Sequence, residues 1–224
     1  MGKIFLFILL TASLLFANNN VTKDQYIFLG NNNLAPIIYL KDSNPDGIFI
    51  DLTKAIAKKS DLNINIKLMN WDKAQSQLLD DKADALLQIN SIKEREKEYD
   101  FSIDIFKSDF CIFRRYDRND IQDIKSLIDL KVGVENKSYP KLILKKYPKI
   151  NIKTLKDIKK GFKLIEKGEL DAMVLDKWVG EYILATSNVK DIIVLNKPIK
   201  SNYSKIAVKK GNKELLKKIN QGII

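Results

Sequence analysis

Residues 168–176 read Gly-Glu-Leu-Asp-Ala-Met-Val-Leu-Asp, in which an apolar run is closed by a carboxylate. The run 172–175 predicts a buried β-strand, and the pattern becomes helical close behind it, near Trp178. A strand that leads directly into a helix is the repeating unit of parallel α/β folds. These residues therefore predict one unit of an α/β sheet.

The same alternation recurs on both sides of this stretch. Further strands are predicted at 26–29, 64–68, 85–89, 131–134 and 150–153. Amphipathic helices are predicted at 50–59, 71–79, 140–147, 156–167 and 212–224. We therefore predict two α/β lobes: residues 24–110 and 203–224 form lobe 1, and residues 111–202 form lobe 2. Extended stretches at 109–115 and 199–207 predict two strand-like crossings that act as a hinge.

The amino terminus, residues 1–17, predicts a cleaved secretory signal peptide. Lys3 precedes an apolar run at 4–16, and the small residue Ala17 follows it. An uncleaved membrane anchor is the alternative, but about 13 apolar residues are fewer than the roughly 20 that span a bilayer. We therefore expect the mature protein in the periplasm.

Two features that many enzymes use are missing. The sequence has no histidine, which removes Ser-His-Asp catalysis, most zinc sites and the usual general base. Its 9 glycines are scattered singly, so it has no glycine-rich phosphate loop. The one cysteine, Cys111, lies in an apolar run and is expected to be a buried, unreactive thiol. We expect no catalytic residue, no metal and no cofactor.

The formal net charge of +11 does not indicate a nucleic-acid partner. The 39 basic residues are spread along the whole chain and interleaved with 28 acidic ones. This distribution is typical of solvated, lysine-rich faces rather than of a nucleic-acid-binding stripe.

Five short stretches form a pattern when they are taken together. They are Gly-x-x-x-Asp-Leu at 47–52, a Trp before a helix ending in Asp-Ala at 71–85, an Arg ahead of Phe-Ser at 95–102, Val-Gly-Val at 132–134, and Asp-Ala-x-x-x-Asp at 171–176. Because of the order and spacing of these stretches, the chain resembles the bacterial extracellular solute-binding proteins of family 3. The resemblance implies a two-lobed periplasmic binding protein type II fold that closes over a small polar ligand, an amino acid. It also implies delivery to the permease of an ABC-type membrane transporter.

Two charged residues gain candidate roles from this resemblance. Arg95 matches the arginine that forks onto the ligand carboxylate, and Asp176 matches the carboxylate that receives the ligand ammonium group. The alternative for Arg95 is a surface ion pair with Glu94, Glu96 or Glu98. The alternative for Asp176 is to cap the helix that follows it. Asp171, in the same motif, is expected to be structural.

Three polar residues are further candidates for hydrogen bonds to the ligand. Gln88 and Asn90 lie near a predicted strand end, where ligands of open α/β sheets sit, although both also fit loop caps. Ser138 stands where the family offers hydroxyls at a helix start. The chain departs from the family at Ile92, where threonine is frequent, and at Lys137, where glycine is common.

Aromatic contact with the ligand is expected from a different place than in the family. Relatives carry an aromatic residue before Ala-Pro, but this chain has Leu34 before Ala35 and Pro36. Trp71 or Tyr139 is expected to supply the contact instead, with core packing as the alternative for Trp71.

A sensor domain is the alternative to a transport protein. Two stretches resemble motifs of the extracytoplasmic domains of histidine kinases and diguanylate cyclases in this family. They are Trp-x-x-Ala-Gln at 71–75 and Arg-Glu-Lys-x-Tyr-Asp-Phe-Ser at 95–102. The final helical pattern also stops on apolar residues without a polar tail, which gives the expectation that this sequence is cut short.

Overall fold

The computed structural model describes residues 24–224, so the predicted signal peptide at 1–17 lies outside the described part of the chain. In chain order the first elements are β1 (Tyr26–Asn31), β2 (Asn33–Leu34), β3 (Ile38–Lys41), β4 (Asn44–Asp46), α1 (Ile48–Lys59), β5 (Ile64–Met69), α2 (Trp71–Leu79), β6 (Ala85–Asn90), β7 (Tyr99–Phe101) and β8 (Phe106–Arg115). They are followed by β9 (Lys131–Glu135), α3 (Tyr139–Leu144), β10 (Asn151–Leu155), α4 (Ile158–Glu166), β11 (Ala172–Asp176), α5 (Lys177–Thr186), β12 (Ile192–Val194), β13 (Lys200–Lys209) and α6 (Lys213–Ile223). The predicted strands and helices are confirmed, with ends that shift by three residues or fewer.

One continuous mixed sheet runs through the molecule in the order β10-β9-β11-β8-β13-β6-β1-β5, and β12 and β7 pair with β8 and β13 beside this path. At its centre the long strands β8 and β13 lie antiparallel. We call β6, β1 and β5 with α1, α2 and α6 the first half, and β11, β9 and β10 with α3, α4 and α5 the second half. The two predicted crossings are therefore present, while the lobe boundaries at residues 110 and 203 stay a prediction.

The strand directions bring particular residues to one edge of each half. The strands β5, β1 and β6 are parallel in the first half, and β10, β9 and β11 are parallel in the second. Parallel strands end at the same edge of a sheet, and ligands of open α/β sheets bind outside these carboxyl ends. Four of these six parallel strands end on polar residues, which are Asn31, Asn90, Glu135 and Asp176.

A small second sheet, β2-β3-β4, was not predicted. Its strands have 2, 4 and 3 residues, too few to give a periodic pattern, and Pro36 and Pro45 interrupt the region. This sheet places Leu34 near the edge where β1 ends.

Each half buries side chains of its own. In the first half, one cluster packs α2 against β1 and β6 through Trp71, Leu78 and Leu86, and in the second half another cluster contains Val132 and Val174. Cys111 is fully buried, and burial raises the pKa of its thiol to about 11. The prediction of a buried thiol is therefore confirmed, while its lack of reactivity stays a prediction that the raised pKa supports.

Asp171 has the structural role that was predicted for it. Its Oδ1 accepts a hydrogen bond from Arg118 Nη1 at 2.6 Å, and its Oδ2 accepts one from the backbone N–H of Lys131 at 2.8 Å. These bonds tie the start of β11 to the start of β9.

Asp100 in β7 is a second structural carboxylate, and its hydrogen bonds and ion pairs predict that the stability of the protein depends on pH. Its oxygens accept from Lys210 Nζ at 2.8 Å and from the backbone N–H of Gly211 at 2.9 Å, and Lys213 Nζ lies 2.8 Å away. These donors hold the pKa of Asp100 well below its ordinary value of 3.8. Because the pKa of Asp100 is lower in the folded state, the stabilisation is complete above the pKa of the unfolded state. It is lost as the pH falls through the pKa of the folded state.

Asp100→Asn is accordingly expected to cost about 1–2 kcal/mol at pH 7, allowing for the exposure of both lysines. Urea unfolding of both proteins at pH 7 and pH 3 measures this difference, which should shrink at pH 3. The exposed Asp61→Asn serves as the control and should change little. A difference that is equal at both pH values would contradict the role given to the ionised carboxylate.

Candidate functional site

A cavity of about 60 Å³ lies where strand ends of the two halves meet. A volume of this order holds several waters, which suits a small molecule. The cavity is lined by all eight residues predicted for the site, namely Leu34, Trp71, Gln88, Asn90, Arg95, Ser138, Tyr139 and Asp176. The structure therefore brings the predicted residues together, while their contact with a ligand stays a prediction.

Arg95 is buried beside the cavity, in a short turn that follows β6. Its Nη1 donates to the carbonyl oxygen of Asn90 at 2.9 Å, and its Nη2 donates to that of Lys137 at 2.7 Å. Among residues 24–224, no carboxylate forms an ion pair with Arg95. The alternative of a surface pair with Glu94, Glu96 or Glu98 is therefore wrong. Burial lowers the pKa of Arg95 to about 10, which still leaves it charged at pH 7.

Asp176, the last residue of β11, both caps a helix and lines the cavity. Its Oδ1 accepts a hydrogen bond from the backbone N–H of Trp178 at 2.9 Å, so it is the N-cap of α5. Its Oδ2 is buried and has no hydrogen-bond partner among the described residues. Burial raises the pKa of Asp176 to about 6, although the nearby Ser108 hydroxyl and the backbone N–H groups of Trp178 and Val179 oppose the increase. One carboxylate oxygen thus has its partner and the other lacks one.

Gln88 and Asn90 lie in β6 beneath the cavity and are both buried. Their side-chain amides each approach Ser204 Oγ at 3.5 Å, and Ser204 Oγ lies 2.9 Å from Ser108 Oγ. The alternative that they cap a loop is wrong, because among the described residues both side chains donate to Ser204 of the strand β13. Gln88 has a positive φ of 54°, a backbone conformation that is strained for a residue with a side chain and is concentrated at functional sites.

The segment between β9 and α3 contains one departure from the family, and the backbone there shows what this departure costs. Ser138 is the N-cap of α3, and its Oγ accepts from the backbone N–H of Lys141 at 3.4 Å. Lys137, which stands where the family commonly has glycine, has a positive φ of 49°. Glycine adopts this conformation without the steric cost that a Cβ brings, so lysine here carries strain.

Lys137→Gly is expected to stabilise the fold by about 0.5 kcal/mol, because the relieved strain exceeds the entropy that glycine loses on folding. Lys137→Ala removes the same side chain but keeps the Cβ, so it should give no such gain. Urea unfolding midpoints of the two variants test this, and an equal gain in both would assign the effect to the lysine side chain instead of the backbone.

Three aromatic residues line the cavity. Tyr139, the first residue of α3, has its ring centroid 4.9 Å from that of Phe110 in β8. Trp71, the first residue of α2, is 6% exposed and belongs to the core of the first half, so the core-packing alternative holds alongside its place in the wall. No signal in the sequence pointed to Phe110, because it opens the apolar run at 110–113, which is typical of a buried core strand.

Asn31 and Glu135 were also missed, although both line the cavity. They end β1 and β9, and Asn31 Nδ2 donates to Glu135 Oε1 at 2.8 Å across the two halves. The available signal was an acidic residue closing the Val-Gly-Val strand, as Asp176 closes β11. Burial raises the pKa of Glu135 to about 7, helped by the charge of Asp72 and opposed by the Asn31 hydrogen bond.

Comparison with known proteins assigns the family. Residues 27–224 match the family described as bacterial extracellular solute-binding proteins, family 3. The L-cystine-binding protein TcyJ of Escherichia coli (strain K12) is 23% identical over 185 residues, which cover 81% of this chain and 69% of the relative. The chain therefore belongs to the family 3 solute-binding proteins.

Solved structures agree with this fold. An ancestral arginine-binding protein bound to arginine is similar with a TM-score of 0.81 and 28% identity, over 90% of this chain and 91% of that one. A histidine kinase sensor domain with similarity to periplasmic binding proteins has a TM-score of 0.83 and 22% identity, over 89% of each chain. The predicted periplasmic binding protein type II fold is confirmed.

Proposed function

We propose that this protein captures an amino acid in the cavity by hinge closure and releases it chemically unchanged. The observation that carries the proposal is a pair of opposite charges, Arg95 and Asp176, buried in the wall of one cavity. Neither forms an ion pair with a side chain of residues 24–224. A buried charge without a counter-charge is costly, so a ligand that supplies a counter-charge to both residues offsets part of that cost.

A zwitterionic amino acid has the matching groups. Its carboxylate offers two oxygens to the planar guanidinium of Arg95, which can donate two parallel hydrogen bonds. Its ammonium group offers donors to Asp176 Oδ2, the oxygen that lacks a partner. Arg95 comes from the first half and Asp176 from the second, so both contacts form only when the halves are together. The names of an L-cystine-binding relative and an arginine-bound neighbour support an amino acid as the ligand.

The proposed setting is the periplasm, where the closed form docks on the permease of an ABC-type transporter. The family's description as extracellular and the predicted signal peptide support this setting. Within residues 24–224, every helix is too short or too polar to cross a membrane.

A ligand-sensing domain is the second candidate, because the stretches at 71–75 and 95–102 resemble motifs of sensor domains in this family. The fold suits both roles, since a histidine kinase sensor domain shares it. Uptake of the radiolabelled ligand, with and without the gene for this protein, separates the two. Loss of uptake supports transport, whereas unchanged uptake supports sensing.

A thermal-shift screen of the purified protein tests the proposed function. Ligands that bind only the folded state stabilise it, by about 2.7 kcal/mol at 100 times Kd. We expect one or a few amino acids to raise the unfolding midpoint. The matched controls are the N-acetyl derivative, which lacks the ammonium charge, and the carboxamide, which lacks the carboxylate. Both should fail, and a panel in which no amino acid shifts the midpoint would refute the assignment.

A further inference from the structure

A third charged residue in the cavity wall, Glu135, takes no part in the proposed recognition of the carboxylate and ammonium groups. Its side chain accepts a hydrogen bond from Asn31 Nδ2 at 2.8 Å. No lysine or arginine of residues 24–224 forms an ion pair with it. A partly buried carboxylate therefore borders the cavity with one neutral partner and no counter-ion.

The neighbours of Glu135 do not supply a positive charge. Asp72, from α2, adds a like charge. Asn136, next in the chain, donates to Asp72 Oδ2 and accepts from Lys141 Nζ at 2.5 Å, so the ammonium group of Lys141 is directed to Asn136. Burial raises the pKa of Glu135 to about 7, so its ionised form is poorly stabilised by the protein alone.

The charges of the cavity wall do not balance around a neutral amino acid. Arg95 carries one positive charge, and Asp176 and Glu135 carry one negative charge each when they are ionised. An amino acid's carboxylate and ammonium groups match Arg95 and Asp176, which leaves Glu135 for the ligand side chain. The aromatic residues Trp71 and Tyr139 line the same cavity, and aromatic rings attract cations as well as apolar groups.

We infer that Glu135 selects an amino acid with a cationic side chain, an amine or a guanidinium, and pairs with that charge while Asn31 orients the carboxylate. This inference rests on the proposed function, because it places the ligand's main-chain groups on Arg95 and Asp176. It assigns Glu135 as the specificity-determining residue of the site.

Calorimetric titration with side-chain pairs tests the inference. L-lysine and L-norleucine differ chiefly by the terminal amine, and L-arginine and L-glutamine contrast a cationic with a neutral side chain. We expect lysine or arginine to bind at least about 10-fold more tightly than its neutral counterpart. Glu135→Gln keeps the shape, removes the charge and should erase this preference. Glu169→Gln removes a charge at an exposed position and should keep it.

Proton release gives a second readout. Pairing with a cation lowers the pKa of Glu135, so a cationic ligand should release protons near pH 7 and bind more weakly as the pH falls below 7. Titration in buffers of different ionisation enthalpy measures this release. Asp176 contributes in both proteins, so the part that disappears in Glu135→Gln belongs to Glu135.

The outcomes separate the two proposals. If no amino acid binds, the proposed function and this inference both fail. If neutral amino acids bind as tightly as cationic ones and Glu135→Gln changes nothing, the inference fails while the proposed function stands. Circular dichroism and the unfolding midpoint of Glu135→Gln show whether the variant is folded, and lysine or arginine binding must then fall relative to norleucine or glutamine.

Discussion

Replacing Arg95 by alanine is expected to weaken amino-acid binding at least about 100-fold, since hydrogen bonds to charged groups contribute roughly 1.5–3 kcal/mol each and the fork makes two. The substitution also leaves the ligand carboxylate in a buried site without a counter-charge. Calorimetric titration with the amino acid identified by the thermal-shift screen measures the loss.

Two further variants make this prediction specific to the guanidinium. Arg95→Lys keeps the charge but not the planar fork, so it should fall between the parent and Arg95→Ala. Glu96→Ala removes an exposed neighbour and should bind as the parent does. Because Arg95 also donates to the carbonyls of Asn90 and Lys137, the fold of each variant is checked by its unfolding midpoint. Unchanged affinity in a folded Arg95→Ala would exclude the assigned role.

Gly180→Ala is expected to destabilise the protein by about 2 kcal/mol through overpacking. Gly180 lies on the buried side of α5, and a Cβ built there would overlap the ring of Phe113. Phe113 is fully buried and packs edge-on against Phe162, with ring centroids 5.4 Å apart, so it cannot easily move away. An unhindered Gly→Ala change inside a helix would instead gain up to about 1 kcal/mol.

Two further variants test whether overlap with the Phe113 ring causes the loss of stability in Gly180→Ala. Glu181→Ala, on the exposed side of the same helix, should change stability little. Phe113→Leu opens space beside Gly180, so the double variant should lose less than the sum of the two single variants. Chemical denaturation of all four proteins gives the coupling energy. Strict additivity would show that the alanine methyl and the Phe113 ring do not compete for space.

The sequence predicted the alternation of strands and helices because both periodicities are visible over short windows, as at residues 64–79. It also led to the eight candidate residues, through the resemblance and through their positions near strand or helix ends. It missed β2, β3 and β4, whose shortness leaves no period to read. Long, periodic elements are thus easier to predict from sequence than short, irregular ones.

Glu135 was missed for a topological reason. In the sequence, Glu135 and Asp176 are 41 residues apart, and nothing local says that their strands are neighbours. Only the pairing of β9 with β11 puts both carboxylates at one edge. The strained backbone of Gln88 and Lys137 was equally invisible, because neither residue type signals a positive φ.

The return of β13 to the first half has a consequence for the order in which the fold can form as the chain emerges. Residues 200–209 form the strand that borders β6, and α6 packs on α1, about 160 residues earlier in the chain. The amino end of a chain emerges first, so β6 lacks this neighbour until residues 200–209 have emerged, after β9, β10 and β11. The second half has its central strands earlier, whereas the first half gains β13 and α6 only afterwards.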